Sequence, residues 1–568
     1  MYSAEALNVT KLLLDEKVWE KEVVNGCCLY RPISMIETEK KSFQQLKNLG
    51  LPYVLARENT DEIVSLEASV GVIRAVPLFY RREREGVAIA SSPQMFLRNN
   101  SEDGEFNIDR LSLLEYLSYG YVTSNRTLVE DIKGIQSGEV LTVSESGELS
   151  IISEYVYDSA NIENLTLSEF TAELESVSEK MFTSLVCDLD GRIPVVPLSG
   201  GYDSRFIVSM LKLYGLDNVV CLSYSIPGSF ESRISKEVAE KLGYKWFFTE
   251  YNTKKWFETF QEEDFHDFLN YAHNYTSVSH IQEYPIIKDL QKKTGMKKQE
   301  ESILIPGHAA DFVAGSHLNP AILAARNIGD VAKCTISKHY GLRMPPVNNA
   351  VLEEVRRRVA EYSKITPEPF KLFEIWNWRE RQSKFIANAN RIYDYFGYKW
   401  ALPFWNKEFT DFWSKIPLEL KYKKRLYDEF LENRVFNRLG VDIDREERVT
   451  KRKIELKVLD SRRPTLKQRI VNLAKENKFM ADLYRSTRRK LKGPSNPCAF
   501  DTANPSLPNI AKERFPRGYQ TLEKILKDEF PKGRGGDVNS FVSELIVSRI
   551  FDEIEPTRVQ EKDHFLGF

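Results

Sequence analysis

Leu198-Ser199-Gly200-Gly201-Tyr202-Asp203-Ser204 combines two adjacent glycines, two serine hydroxyls and a carboxylate within seven residues. Paired glycines let a backbone close on phosphate oxygens with no Cβ in the way, and the Ser199 and Ser204 hydroxyls add donors at the same rim. Asp203 would repel a phosphate unless a hard cation lay between them, and Mg²⁺ is held in this way by one or two carboxylates together with phosphate oxygens. The lysine of the G-x-x-x-x-G-K-[ST] loop is absent, which excludes the loop of kinases and GTPases.

The flanking pattern says which elements must carry this loop. Ile193, Val195, Val196 and Leu198 form an apolar run, and Phe206, Ile207, Met210, Leu211 and Tyr214 recur with helical spacing up to Gly215. A strand turning through glycines into a helix brings backbone N–H groups and a helix N-terminus to one point, which attracts phosphate. Val219 to Tyr224 predicts a second buried strand, and Glu231 to Leu242 a helix ended by Gly243. Thr166 is the expected N-cap of the helix before the loop strand.

The motif S-G-G-x-D-S after a strand resembles the pyrophosphate loop of the N-type ATP pyrophosphatases, and later segments resemble the asparagine synthetase branch. The resemblance implies ATP and Mg²⁺ as cofactors, with Leu198, Ser199, Gly200, Gly201, Asp203, Ser204 and Gly307 around the phosphates. Leu222, Ser223 and Tyr224 would then face the base. Gly307-His308-Ala309-Ala310-Asp311-Phe312-Val313-Ala314-Gly315 is similar to the family's G-x-G-x-D-E-x-x-x-G segment, which implies Asp203 and Asp311 as metal ligands. Here Ala309 replaces the second glycine and Phe312 the acid after the aspartate. His308 and His317 lack the Cys/His spacing of a zinc site.

Glu380-Arg381-Gln382-Ser383, Leu402-Pro403-Phe404-Trp405-Asn406 and Ile416-Pro417 with Lys421 resemble the helical end of the synthetase domain. Lys451 and Lys453 occupy the region where the family places a lysine that neutralises the α-phosphate and the leaving pyrophosphate. The resemblance thus implies an ATP-dependent carbon–nitrogen ligase that adenylates a carboxylate, releases pyrophosphate and passes the acyl group to ammonia or an amine. Intramolecular closure of a β-lactam or macrocycle is one alternative, and a non-catalytic ATP-binding relic, suggested by Ala309 and Phe312, is another.

Residues 71 to 155 resemble the second half of the synthetase glutaminase domain, through Val76-Pro77-Leu78-Phe79-Tyr80, Gly86 to Ser92 and Gly138-Glu139-Val140-Leu141. The runs Glu139 to Val143 and Leu149 to Ile152 predict antiparallel strands. Glutaminase chemistry needs a cysteine whose free α-amine is the base. The chain as given starts Met1-Tyr2-Ser3-Ala4, and Cys27 and Cys28 are interior. The expectation is a degenerate glutaminase-like domain, with nitrogen from free ammonia, a substrate amine or a separate donor protein. The form Pro197 to Arg205 resembles specialised branches of the family more than the housekeeping enzyme, which implies surface polysaccharide or specialised metabolite synthesis.

The expected organisation is α/β: a β-rich Ntn-hydrolase-like domain over 1–158, a doubly wound parallel-sheet ATP-pyrophosphatase domain with a helical end over 159–492, and a helical extension over 493–568 after a Pro/Asn-rich loop at 493–508. Phe541 to Ile554 predicts a helix. With 80 basic and 82 acidic residues, a net charge of −2 argues against a dedicated nucleic-acid binder. The basic run Arg485 to Lys492 reads as a solvated face. The six cysteines show no repeated spacing, no run of 18 apolar residues occurs and no signal-peptide core is present, so the expected location is the cytoplasm and the expected partners are small molecules.

Overall fold

A computed structural model of the chain describes residues 8–59, 62–83, 86–98, 106–158, 165–295, 301–339, 342–343, 350–444, 507–530 and 538–553. Two sheets organise it. Five parallel strands form the sheet that carries the glycine loop, in the spatial order Lys245–Glu250, Val220–Ser225, Ile193–Pro197, Ser302–Leu304, Lys399–Trp400. The strand that comes first in the chain lies in the middle. The chain builds outward from it to one side, then returns to build the other side from Ser302. Connections therefore diverge at the carboxyl ends of Ile193–Pro197 and Ser302–Leu304, and such a reversal opens a crevice where open α/β sheets bind ligands. Val195 and Val196 are fully buried, as expected of a central strand covered on both faces.

The helices follow the sequence pattern closely. Leu167–Leu189 starts with a capping box in which the Thr166 hydroxyl accepts from the Glu169 N–H and the Glu169 carboxylate accepts from the Thr166 N–H. Its buried residues Phe170, Leu174, Met181, Phe182, Leu185 and Leu189 lie on one stripe. Tyr202–Leu213 follows the loop, and Phe230–Leu242 ends at Gly243 with φ 73°. Val538–Glu553 forms where Phe541 to Ile554 was expected. Most of the 493–508 segment, and Arg485 to Lys492, lie outside the described residues; Leu507, expected in the loop, already opens the helix Leu507–Arg514.

The front unit is a mostly antiparallel sheet with one parallel pair, Asn8–Leu13 beside Gly86–Ala90. It forks at Glu62–Ser69, which pairs with Tyr53–Asn59, with Asn8–Leu13 and with Glu139–Val143. Glu139–Val143 and Leu149–Ser153 pair antiparallel as expected. The two sheets meet directly. The Trp400 N–H donates to the Ser34 carbonyl at 2.8 Å, and Arg192 grips Glu39 through two bonds of 2.9 and 2.8 Å. Among the described residues no helix is long and apolar enough to cross a membrane.

The C-terminal helices are fastened by charge as well as by apolar packing. Arg343 is fully buried and donates to the Glu544 carboxylate, to the Ser540 carbonyl at 3.1 Å and to the Leu117 carbonyl at 2.8 Å. Phe541 packs edge-on against Phe260 at 5.6 Å. Removing one partner of a buried pair leaves the other charge unpaired, at about 3–5 kcal/mol. Arg343→Ala is therefore expected to release the Val538–Glu553 helix, seen as faster limited proteolysis after residue 530 at a temperature where the parent chain resists.

Candidate active site

The glycine loop leaves the central strand with Leu198 donating its N–H to the Leu222 carbonyl at 2.7 Å. Gly201 caps the following helix with φ −78° and ψ 175°, and no side chain caps it. The first N–H groups of that helix are therefore available to a ligand. The serines brace the loop as well as rim it: Ser199 N–H donates to Ser204 Oγ at 3.1 Å, and Gly201 N–H to Ser199 Oγ at 3.2 Å. A Cβ on Gly200 would come within 3.2 Å of Glu231 Cα, so this glycine serves a close approach of two backbones.

Asp203 and Asp311, 108 residues apart in sequence, meet across the crevice. The Asp311 N–H donates to Asp203 Oδ2 at 3.1 Å, and the Tyr427 hydroxyl donates to Asp203 Oδ1 at 3.1 Å. Burial, with Asp311's charge adding to it, pushes the Asp203 carboxyl up to about 7. Lys424 Nζ stands 3.0 Å from Asp311 Oδ1. Burial works against its charge, but Asp311, Asp203 and Asp428 more than offset this and hold its ammonium above the usual lysine range.

The expected residues largely line one cleft of about 400 Å³: Leu198, Ser199, Gly201, Asp203 and Ser204 on one side, Leu222, Ser223 and Tyr224 on another, Gly307 and Asp311 on a third. That volume suits a small-molecule ligand. Gly200 lies in the same loop with its carbonyl turned inward to Arg205. A Cβ on Gly307 would sit 2.9 Å from Ser204 N, so the two loops are in backbone contact here. Tyr224 stacks on Tyr251 at 5.1 Å, and the Ser223 hydroxyl turns to Ser235 at 2.9 Å, which leaves the backbone of this strand as its cleft-facing part. Lys451 and Lys453 lie outside the described residues.

Three side chains of this site went unassigned in the sequence. Lys424 lies three residues beyond Lys421, the lysine that the family resemblance singles out, and Lys421 itself is fully buried against Glu374 at 2.9 and 3.0 Å. Lys423 and Lys424 both take left-handed φ, 58° and 57°, which swings Lys424 toward the cleft. Tyr427 follows on the helix Arg425–Phe430. Arg205, fully buried, donates to the Gly200 carbonyl at 2.9 Å and to Asp444 at 2.8 Å, holding the loop from beneath. Only the run of three cations Lys423-Lys424-Arg425 beside an aromatic helix start hinted at the first two; nothing local marked Arg205.

Phe312, which stands where the family has an acid, points into the core among Tyr157 at 5.1 Å, His317 at 5.0 Å and Trp405 at 5.9 Å. His317 is buried 3.4 Å from Glu374, on the core side, whereas His308 lines the cleft. Among the described residues no group of three or more His, Cys, Asp or Glu could hold a metal ion. The Asp203–Asp311 pair instead suits a cation whose remaining positions are filled by phosphate oxygens and water.

The asparagine synthase family matches residues 192–439. Asparagine synthetase [glutamine-hydrolyzing] 1 of Bacillus subtilis (strain 168) is similar, at 26% identity over 169 residues, which cover 29% of this chain and 26% of that protein. The match thus spans about a quarter of the relative's length.

Ala309 is left-handed, with φ 83° and ψ −25°, a region that costs an L-residue about 1–2 kcal/mol. Glycine relieves that strain but frees the unfolded chain, so Ala309→Gly is expected to stabilise the protein by up to about 1 kcal/mol, read as a higher urea midpoint.

Proposed function

We propose, from the match of residues 192–439 to the asparagine synthase family, that the chain is an ATP-dependent ligase that activates a small-molecule carboxylate by adenylation and passes it to ammonia or an amine. The observation that carries this reading is the convergence of Asp203, Asp311 and Lys424 at the mouth of the glycine loop. Two neighbouring carboxylates repel each other, and the hydrogen bonds from the Asp311 N–H and Tyr427 with the Lys424 pair answer that repulsion only in part. The two carboxylates suit a site for Mg²⁺ and a polyphosphate, and the bound ion supplies positive charge to the phosphate oxygens.

In this reading the N–H groups at the start of Tyr202–Leu213 and the Ser199 and Ser204 hydroxyls hold the β and γ phosphates, while the backbone of Leu222, Ser223 and Tyr224 faces adenine. The substrate carboxylate attacks the α-phosphorus, the α–β bridging bond breaks, and pyrophosphate leaves. Lys424 offsets the charge that builds on the departing oxygens; a preorganised cation is most effective where charge develops. The nitrogen nucleophile then attacks the acyl carbon and AMP departs. The Gly307 contact with Ser204 fixes the distance between the loops, and so the alignment of the reacting groups. The front unit is a degenerate glutaminase-like domain, with nitrogen from free ammonia, a substrate amine or a separate donor protein. The acceptor belongs to surface polysaccharide or specialised metabolite synthesis, as the form of the Pro197 to Arg205 loop suggests.

Pyrophosphate release from MgATP, measured against a panel of carboxylates with ammonium present, tests the reading. Lys424→Met is expected to lower kcat by about 10²- to 10³-fold with the fold intact. Gly307→Ala is expected to weaken ATP binding, because its Cβ has no room beside Ser204 N. Undiminished pyrophosphate release in Lys424→Met would remove the lysine from the chemistry, and no release with any carboxylate would sink the ligase assignment.

A further inference from the structure

Glu283 is a buried acid without a counter-charge, and it lines the cleft that holds the glycine loop, Asp203 and Asp311. It is 6% exposed. Every other acid buried to a similar degree among the described residues, from Glu115 beside Arg126 to Glu544 beside Arg343, has an arginine or lysine within 4.0 Å. The Glu283 carboxylate instead meets two phenols: Tyr393 donates to Oε2 at 2.5 Å and Tyr224 to Oε1 at 3.4 Å. Burial raises its carboxyl above the usual range, and the two hydroxyls work against that shift. Bridging two tyrosines does not call for a charge, since a glutamine amide both donates and accepts and would serve both hydroxyls. A carboxylate screened from water and unmatched by a cation remains a strong acceptor, and an N–H brought to it gains a charge-assisted hydrogen bond.

Contacts fix which end of the cleft Glu283 occupies. The Leu198 N–H donates to the Leu222 carbonyl, so the glycine loop leaves the sheet level with Leu222. Tyr224 stands two residues further along the same strand, roughly 7 Å at the usual rise, and its hydroxyl reaches Glu283. Tyr251 stacks on Tyr224 at 5.1 Å and donates to the Gln282 carbonyl at 2.6 Å, which fastens the backbone beside Glu283 to that strand. From the other side Tyr393, on the helix Arg391–Tyr395, holds the second carboxylate oxygen. The acid is thus a fixed part of the wall that continues from Leu222, Ser223 and Tyr224, whereas Asp203, Asp311 and Lys424 form the phosphate end.

We propose that Glu283 is a specificity-determining residue that accepts a hydrogen bond from the 6-amino group of the bound purine, so that the cleft selects adenine over hypoxanthine and guanine. The inference rests on the ligase reading for the placement of the base against the backbone of Leu222, Ser223 and Tyr224. Adenine presents an N–H donor at position 6, where guanine presents a carbonyl oxygen, as hypoxanthine does. A carboxylate bonds the first and repels the second, and a site built to bond a polar group rejects strongly the analogue that lacks it. Tyr224 and Tyr393 are positioning residues that hold the carboxylate in one orientation before the nucleotide arrives.

Titration of the full chain with nucleotides in the presence of Mg²⁺ tests this, with ATP, ITP, 2′-deoxyATP and inorganic pyrophosphate as probes. MgATP is expected to bind about tenfold or more tighter than MgITP. Glu283→Gln, whose amide can also donate to a carbonyl, is expected to bring that ratio below about threefold, and Glu283→Asp, which withdraws the carboxylate by one methylene, to fall between. Pyrophosphate has no base, so its affinity is expected to stay at the parent value in both variants, which also reports that each is folded; should Glu283→Gln fail to fold, Glu283→Asp carries the comparison. The proposal is overturned if MgATP and MgITP bind the parent alike, if the variants keep the parent ratio, or if they change the ratio of MgATP to its 2′-deoxy form instead, which would put the acid on the ribose. Pyrophosphate binding without preference between the bases would overturn the base contact and leave the ligase reading standing, and no binding of either pyrophosphate or MgATP would sink both. A Glu283-dependent preference for adenine in a chain that releases no pyrophosphate with any carboxylate would refute the ligase reading and leave the base contact in place.

Discussion

Two aspartates, joined by a hydrogen bond from the Asp311 backbone N–H to the Asp203 carboxylate, set the terms for the rest of the site. Asp203 lies at the first turn of the helix after the glycine loop and Asp311 on the short helix Ala310–Val313 after the strand Ser302–Leu304, and the pairing of that strand with Ile193–Pro197 in the parallel sheet brings them together. Their repulsion is answered partly by the Asp311 N–H and the Tyr427 hydroxyl on Asp203, and partly by Lys424. The sheet, the helix Arg425–Phe430 and the two loops are thus tied to one electrostatic problem.

The loops are braced from outside the cleft. Arg205 fastens the Gly200 carbonyl to Asp444. On the opposite side Gly315, at φ 93°, lets the Asp311 segment press on the Lys421 carbonyl, where a Cβ would come to 2.5 Å. Lys421 is anchored by Glu374 just before the chain turns left-handed at Lys423 and Lys424. The lysine that touches Asp311 is therefore aimed by its buried neighbour. Long lysine side chains lose much conformational freedom when fixed, and a prebuilt turn reduces what must be lost on binding.

Local chemistry made much of this legible. The glycine loop, its strand and helix, the Thr166 cap and the stop at Gly243 all follow from residues within a few positions of one another, and the structure places them where pattern and propensity put them. Asp311 was found because its segment resembles a known loop. Lys424, Tyr427 and Arg205 escaped because their partners are 113, 224 and 239 residues away in sequence, and a cation among other cations carries no local sign of which one turns inward. Phe312 was legible only as a missing acid. Its packing shows why an aromatic ring suits the position: the ring sits among Tyr157, His317 and Trp405.

The departures at Ala309 and Phe312 raised the thought of a relic, and the energetics of the surrounding backbone bear on it. Ala309, Lys423 and Lys424 all take left-handed φ, a state that costs each an appreciable part of a kcal/mol or more. Asp203 is buried beside a second carboxylate, which raises it far above the usual range. In a protein whose whole stability is of the order of 10 kcal/mol, such costs are removed by single substitutions once nothing requires them. Glycine at 309 or asparagine at 203 would lower the energy of the free chain. In the ligase reading, a cation and phosphates bound between Asp203 and Asp311 would offset the cost of holding the two carboxylates together.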